Sequence, residues 1–110
     1  MTDFVKAVMA DEVLPGAVKA VEVGGRQIVI CNAGGEFFAV DDVCTHDCGP
    51  LGSGTLHDGQ IECPRHGGRF DLRTGRAVVF PALQGIRSYP VQVVGGDVMV
   101  SLGDGGGACD

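Results

Sequence analysis

The chain has no tryptophan and no run approaching the roughly 18 consecutive apolar residues of a membrane-spanning helix. Its start, "MTDFVKAVMADEV", carries acid where a secretory leader would carry basic residues and an apolar run, so a cytoplasmic location is expected. Basic residues are in deficit too: 8 Lys and Arg face 14 Asp and Glu, for a formal net charge of -6. Nucleic-acid phosphates attract basic faces, so this balance argues against a nucleic-acid partner. A basic protein surface is the natural complement, and the same surplus of acid also favours solubility. There is no long helical period, no internal repeat and no linker. At 110 residues the chain is expected to be one domain, with material for one hydrophobic core and little for a second.

What is abundant is glycine, 19 residues of it, together with valine. That combination points to short strands joined by tight turns, an all-β fold. Gly24-Gly25, Gly34-Gly35, Asp58-Gly59 and Gly95-Gly96 each separate two strand-like runs and suit two-residue hairpin turns. Apolar and polar residues alternate in Ala17 to Val23 and in Tyr89 to Val93, as in strands with one wet and one dry face. The ending "GDGGGACD" has too little apolar content to order itself, so the folded domain is expected over 1–103 and a flexible tail over 104–110.

Between Val43 and Asp71 the pattern changes: polar residues, glycines and prolines crowd around Cys and His, as in a site built on loops. Five cysteines is an odd number, and in a reducing compartment thiols hold a metal or stay free more often than they pair. The spacing is Cys44-x-His46, then 16 residues, then Cys63-x2-His66, and the hairpin at Asp58-Gly59 can return the second group to the first. A Cys2His2 zinc finger pairs like with like, with its histidines usually on a helix, whereas here each loop is mixed. Mixed loops have a clear use with two irons to share out, because both loops then clamp both ends of a two-iron cluster. A structural zinc module and a Cys/His nucleophile pair stay open on these residues. The nucleophile lacks a third, orienting group.

"CTH" followed after 16 residues by "CPRHGGRFDLRTG" resembles the Rieske [2Fe-2S] signature, in which two His replace two Cys on one iron. The likeness joins four ligands, their spacing, Pro64, Gly67 and the stretch Phe70 to Gly75. It extends to nearly the whole chain, since free-standing Rieske ferredoxins are similarly small and all-β. The resemblance implies an antiparallel β-sandwich or barrel bearing a cluster-binding subdomain of two loops at about residues 43–71. It implies Cys44, His46, Cys63 and His66 as iron ligands, and backbone N–H groups of Gly49, Gly67 and Gly68 as donors to the cluster sulfides. It further implies a one-electron carrier that passes electrons from a flavin-dependent NAD(P)H reductase to a terminal oxygenase and has no small-molecule substrate of its own. Two thiolates neutralise a di-ferric core that four would leave negative, so reduction is easier than in a four-Cys site.

The chain departs from the disulfide-bearing form of that pattern, which has a Cys three residues after the first His and another between the second Cys and His. Those positions are Gly49 and Arg65. Cys48, Cys31 and Cys109 are therefore expected as free thiols, and His57, with no Cys nearby, as an ordinary surface histidine. Neither the "GSG" at Gly52 to Gly54 nor the glycines of the tail stand in a strand-to-helix context that would cradle phosphate. Two other roles fit the residues: a Rieske small subunit or accessory protein of a nitrite-reductase-type enzyme or of an iron-sulfur assembly system, and a structural zinc-binding interaction module. Partner capture separates the first from the oxygenase carrier, and metal analysis separates the second.

Overall fold

A computed structural model of the chain describes residues 4–45, 49–65, 67–82 and 84–102. These form an all-β, antiparallel architecture of three small sheets. The first joins β1 (Phe4–Met9), β11 (Asp97–Ser101) and β10 (Val91–Val94) in that order. The second runs β2 (Val18–Val23), β3 (Arg26–Ala33), β4 (Glu36–Asp41) and β9 (Ser88–Tyr89). The third runs β5 (Thr55–His57), β6 (Gln60–Glu62), β7 (Arg69–Asp71) and β8 (Ala77–Val79). The single described helical turn is a 3-10 segment, Ala10–Glu12, and no helix among the described residues is long and apolar enough to cross a membrane.

All four expected hairpin turns are present, with positive φ at both central residues; Asp58, at 45°, is the one non-glycine among them. That backbone twists in the same sense as the strands it joins, which is why these dipeptides were legible. The run Tyr89 to Val93 is different. Pro90 has no N–H for a ladder, and the chain changes sheets there: Ser88 and Tyr89 pair with β4, while Val91–Val94 pairs with β11. Its dry face fades accordingly, from Tyr89 at 5 % exposure to Val93 at 50 %.

The expectation of one core is corrected. β3 carries the unbroken apolar run Ile28-Val29-Ile30-Cys31, and its side chains part to opposite faces. Ile28 and Ile30 join Val8, Val13, Val98, Val100 and Tyr89 on the side of the first sheet. Val29 and Cys31 join Leu51, Ile61, Phe70, Leu72 and Ile86 on the side of the third sheet. Because the middle sheet is buried on both faces, one short chain supports two apolar layers, and the second of these underlies the loops that matter for function.

The base of those loops is fastened by a buried polar knot. The Asp41 N–H donates to the Arg87 carbonyl at 3.0 Å, and the Arg87 N–H donates back to Asp41 Oδ2 at 3.1 Å. Tyr89 Oη donates to Asp41 Oδ1 at 2.5 Å, and Arg26 Nη1 donates to Tyr89 Oη at 3.3 Å. Burial, reinforced by the neighbouring Asp41 carboxylate, pushes the Tyr89 phenol above its ordinary range.

Candidate metal centre

Two loops leave this base, and both are closed in the same way. The first follows β4: the Cys44 N–H donates to the Gly49 carbonyl at 2.7 Å, and the two residues form an isolated antiparallel bridge. The second is the turn of the hairpin between β6 and β7, where the Cys63 N–H donates to the Gly68 carbonyl, again at 2.7 Å. Each loop thus has a Cys at its neck and five residues to its closing glycine. His46 and His66, which follow these thiols in the sequence, lie outside the described residues.

Cys44 and Cys63 are 0 % and 1 % exposed and share the apolar layer that contains Leu51, Ile61, Phe70 and Leu72. The structure therefore places both thiols in the same buried apolar layer under the loops. Local hydrogen bonds explain why the chain holds them there. Asp42 Oδ1 accepts the Leu51 N–H at 2.7 Å, which brackets the first loop from outside its neck. Gly67 has φ of 78°, a left-handed conformation that L side chains rarely adopt, and its N–H donates to the Cys63 carbonyl at 3.1 Å. That N–H, expected to face a sulfide, thus has a protein acceptor, while the described bonds of Gly49 and Gly68 use their carbonyls.

A third segment covers the site. Thr45 Oγ1 donates to the Gln84 carbonyl, and a Cβ on Gly68 would lie 3.0 Å from both Cβ and N of Ala82. The peptide Phe80-Pro81 is cis, and Phe80 is 77 % exposed. Downstream of the second loop, Asp71 Oδ1 accepts the N–H groups of Arg73 at 2.7 Å and Thr74 at 3.3 Å, and its carbonyl accepts Gly75 N–H at 2.8 Å. Gly75 then takes Ile86 N–H on its own carbonyl at 2.7 Å. The "FDLRTG" stretch is accordingly a turn that ties the third segment down.

The positions compared above with disulfide cysteines do face one another. Arg65 Nη1 donates to the Pro50 carbonyl at 2.8 Å, and the guanidinium covers Gly49 so closely that a Cβ there would lie 2.7 Å from Nη2. Neither Arg65 nor Asp42 was singled out as a functional residue from sequence. An Asp directly after a strand and before a glycine-rich loop was a usable signal for Asp42, whereas nothing local announced that Arg65 would cross to the other loop.

His57 lies on β5 with Nε2 2.9 Å from Glu62 Oε1, and Arg69 Nη2 is 3.2 Å from the same oxygen. It is a partly exposed histidine grouped with Glu62 and Arg69. Cys31 is buried on β3, where desolvation pushes its thiol up to about 12 and leaves it protonated and unreactive at neutral pH. Cys48, Cys109 and the 104–110 tail lie outside the described residues.

Comparison with known proteins places this geometry in context. A family model described as the Rieske [2Fe-2S] domain matches residues 3–90. The ferredoxin component of the naphthalene 1,2-dioxygenase system of Pseudomonas aeruginosa is 40 % identical over 99 residues, covering 90 % of this chain and 95 % of its own. Among solved structures, the ferredoxin of carbazole 1,9a-dioxygenase from Nocardioides aromaticivorans IC177 is 33 % identical with a TM-score of 0.84, covering 88 % of this chain and 95 % of its own. A chain in the complex of reduced oxygenase and oxidized ferredoxin in carbazole 1,9a-dioxygenase is 34 % identical with a TM-score of 0.81, covering 89 % and 92 %.

Proposed function

The chain belongs to the Rieske [2Fe-2S] family, and on that premise we propose that it carries electrons to a terminal oxygenase, with Cys44 and Cys63 holding one iron and His46 and His66 the other. The cofactor is a [2Fe-2S] cluster, and the protein is an electron carrier, not an enzyme. The described residues fit that group. Two buried thiols occupy equivalent necks of two like-closed loops, and each loop supplies a His one or two residues beyond the thiol's neighbour. This pairing of loops is the observation that carries the reading.

When bound, the cluster supplies one-electron oxidation and reduction. The chain's own residues bind it, exclude water and set its surroundings. Leu51, Ile61, Phe70 and Leu72 surround the two thiols with apolar atoms and keep solvent from that side. Thr45, with its hydroxyl given to Gln84, fastens the first loop to the covering segment and has no proton left to donate elsewhere. The N–H groups of Gly49 and Gly68 are our candidates for donors to the cluster sulfides, with Gly67 able to share the N–H it gives to Cys63.

The partner assignment draws on the relatives, which are named as ferredoxin components of dioxygenase systems. We assign the donor side to a flavin-containing reductase and the location to the cytoplasm. Replacing His46 or His66 by Ala should abolish the Rieske-type visible and paramagnetic resonance spectra, while His57→Ala, whose described polar partner is Glu62, should leave them intact. An unchanged spectrum in His46→Ala would overturn the ligand assignment.

A further inference from the structure

Arg65 stands in the second loop, yet its described contacts reach the first. Nη1 donates to the Pro50 carbonyl at 2.8 Å across 15 residues of sequence. Over Gly49, a Cβ would lie 2.7 Å from Nη2, 2.8 Å from Cζ and 3.1 Å from Nε, so the whole guanidinium plane rests on that glycine. Gly49 is the residue whose carbonyl closes the neck of the first loop on Cys44. Each neck is closed by its own hydrogen bond, and those bonds do nothing to hold one loop against the other. A planar fork with several donors is suited to spanning two backbones in a way a flexible ammonium is not.

We propose that Arg65 is an interloop latch: a positioning residue that sets the first cluster loop against the second by clasping Gly49 and Pro50. The proposal rests on the cluster-binding reading for its consequence, iron retention, but not for the clasp itself. It explains why position 49 is glycine although its backbone does not require one: of the glycines with positive φ, it is not a member, and the space a side chain would fill belongs to the guanidinium. It also gives the exposed Arg65 a second effect. Arg65 directly precedes His66, a proposed iron ligand, and a cation held near a group that gains an electron favours the reduced form.

The substitutions Arg65→Ala, Gly49→Ala and both together separate these effects, because Gly49→Ala displaces the guanidinium while leaving its charge. Hydrogen exchange at the Cys44 and Leu51 amides of the cluster-loaded protein reads the clasp directly, and anaerobic release of iron to a chelator reads its consequence. Each single variant should speed both processes about fivefold, the size of one exposed charged contact. The double variant should be no faster than Arg65→Ala, because Gly49→Ala has nothing left to displace. Arg65→Lys should restore the midpoint potential lost in Arg65→Ala, but not iron retention. Unchanged exchange in Arg65→Ala, or additive effects in the double variant, would overturn the latch. Faster exchange with unchanged iron release would overturn its role in positioning while leaving the family reading untouched.

Discussion

Tyr89→Phe removes one oxygen atom from the knot beneath the loops. Tyr89 and Asp41 are each 5 % exposed, and the lost contact is the 2.5 Å hydrogen bond from the phenol to Asp41 Oδ1. A hydrogen bond to a charged group contributes about 1.5 to 3 kcal/mol. Two features favour the low end of that range. The Arg87 N–H still donates to Asp41 Oδ2, and Arg26, freed from the phenol 3.3 Å away, can turn toward the carboxylate. A loss of about 1.5 to 2 kcal/mol follows, and in a domain of this size it lowers the unfolding temperature by roughly 10 °C. Thermal unfolding of the cluster-loaded protein, followed by circular dichroism, measures it. The visible spectrum should be unchanged before unfolding, since the backbone bond between Asp41 and Arg87 keeps β4 and β9 in register. A change under about 0.5 kcal/mol, the level of an ordinary surface substitution, would refute the claim that this knot fastens the loop base.

The midpoint potential should lie low in the Rieske range, near about -150 mV. Gly68 and the fully buried Phe70 have no hydroxyl to donate toward the cluster, and the Thr45 hydroxyl donates its hydrogen bond to the Gln84 carbonyl; redox titration giving a value above about +100 mV would contradict this. Stability should fall at alkaline pH because burial raises Cys31 from an ordinary 9.0 to about 12. The folded chain keeps a proton that the unfolded chain releases, so this stabilisation is complete below about pH 9 and is lost toward pH 12 at up to about 1.4 kcal/mol per pH unit. Denaturant unfolding of Cys31→Ala should show a shallower alkaline decline than the parent, and equal slopes would refute the assignment.

Those features of the fold that depend on neighbouring residues were legible in the sequence. Gly24-Gly25 or Asp58-Gly59 announces a hairpin because both central residues must adopt positive φ, and the four hairpins follow from four dipeptides. The two like-closed loops at Cys44 and Cys63 were announced by a change in short-range pattern, glycines and prolines crowding around Cys and His, and such residue types and spacings are properties of short segments. Tyr89 to Val93 read as one strand because alternation carries no information about which sheet a residue joins, and Pro90 moves the chain from one to another. The second apolar layer was missed because a run such as Ile28 to Cys31 reveals that both faces are buried only once both neighbouring sheets are in place. Arg65 was hidden for the same reason. Its meaning lies in Gly49 and Pro50, which only the return of the hairpin brings beneath it.

The central claim, that the two loops hold a two-iron cluster between unlike ends, is tested most directly by metal analysis of protein purified without air, paired with paramagnetic resonance of the reduced sample. Two iron and two acid-labile sulfides per chain, with a Rieske-type signal that shows nitrogen coupling from two histidines, is the predicted result. One zinc per chain, or two iron with the spectrum of a four-Cys cluster, would contradict it.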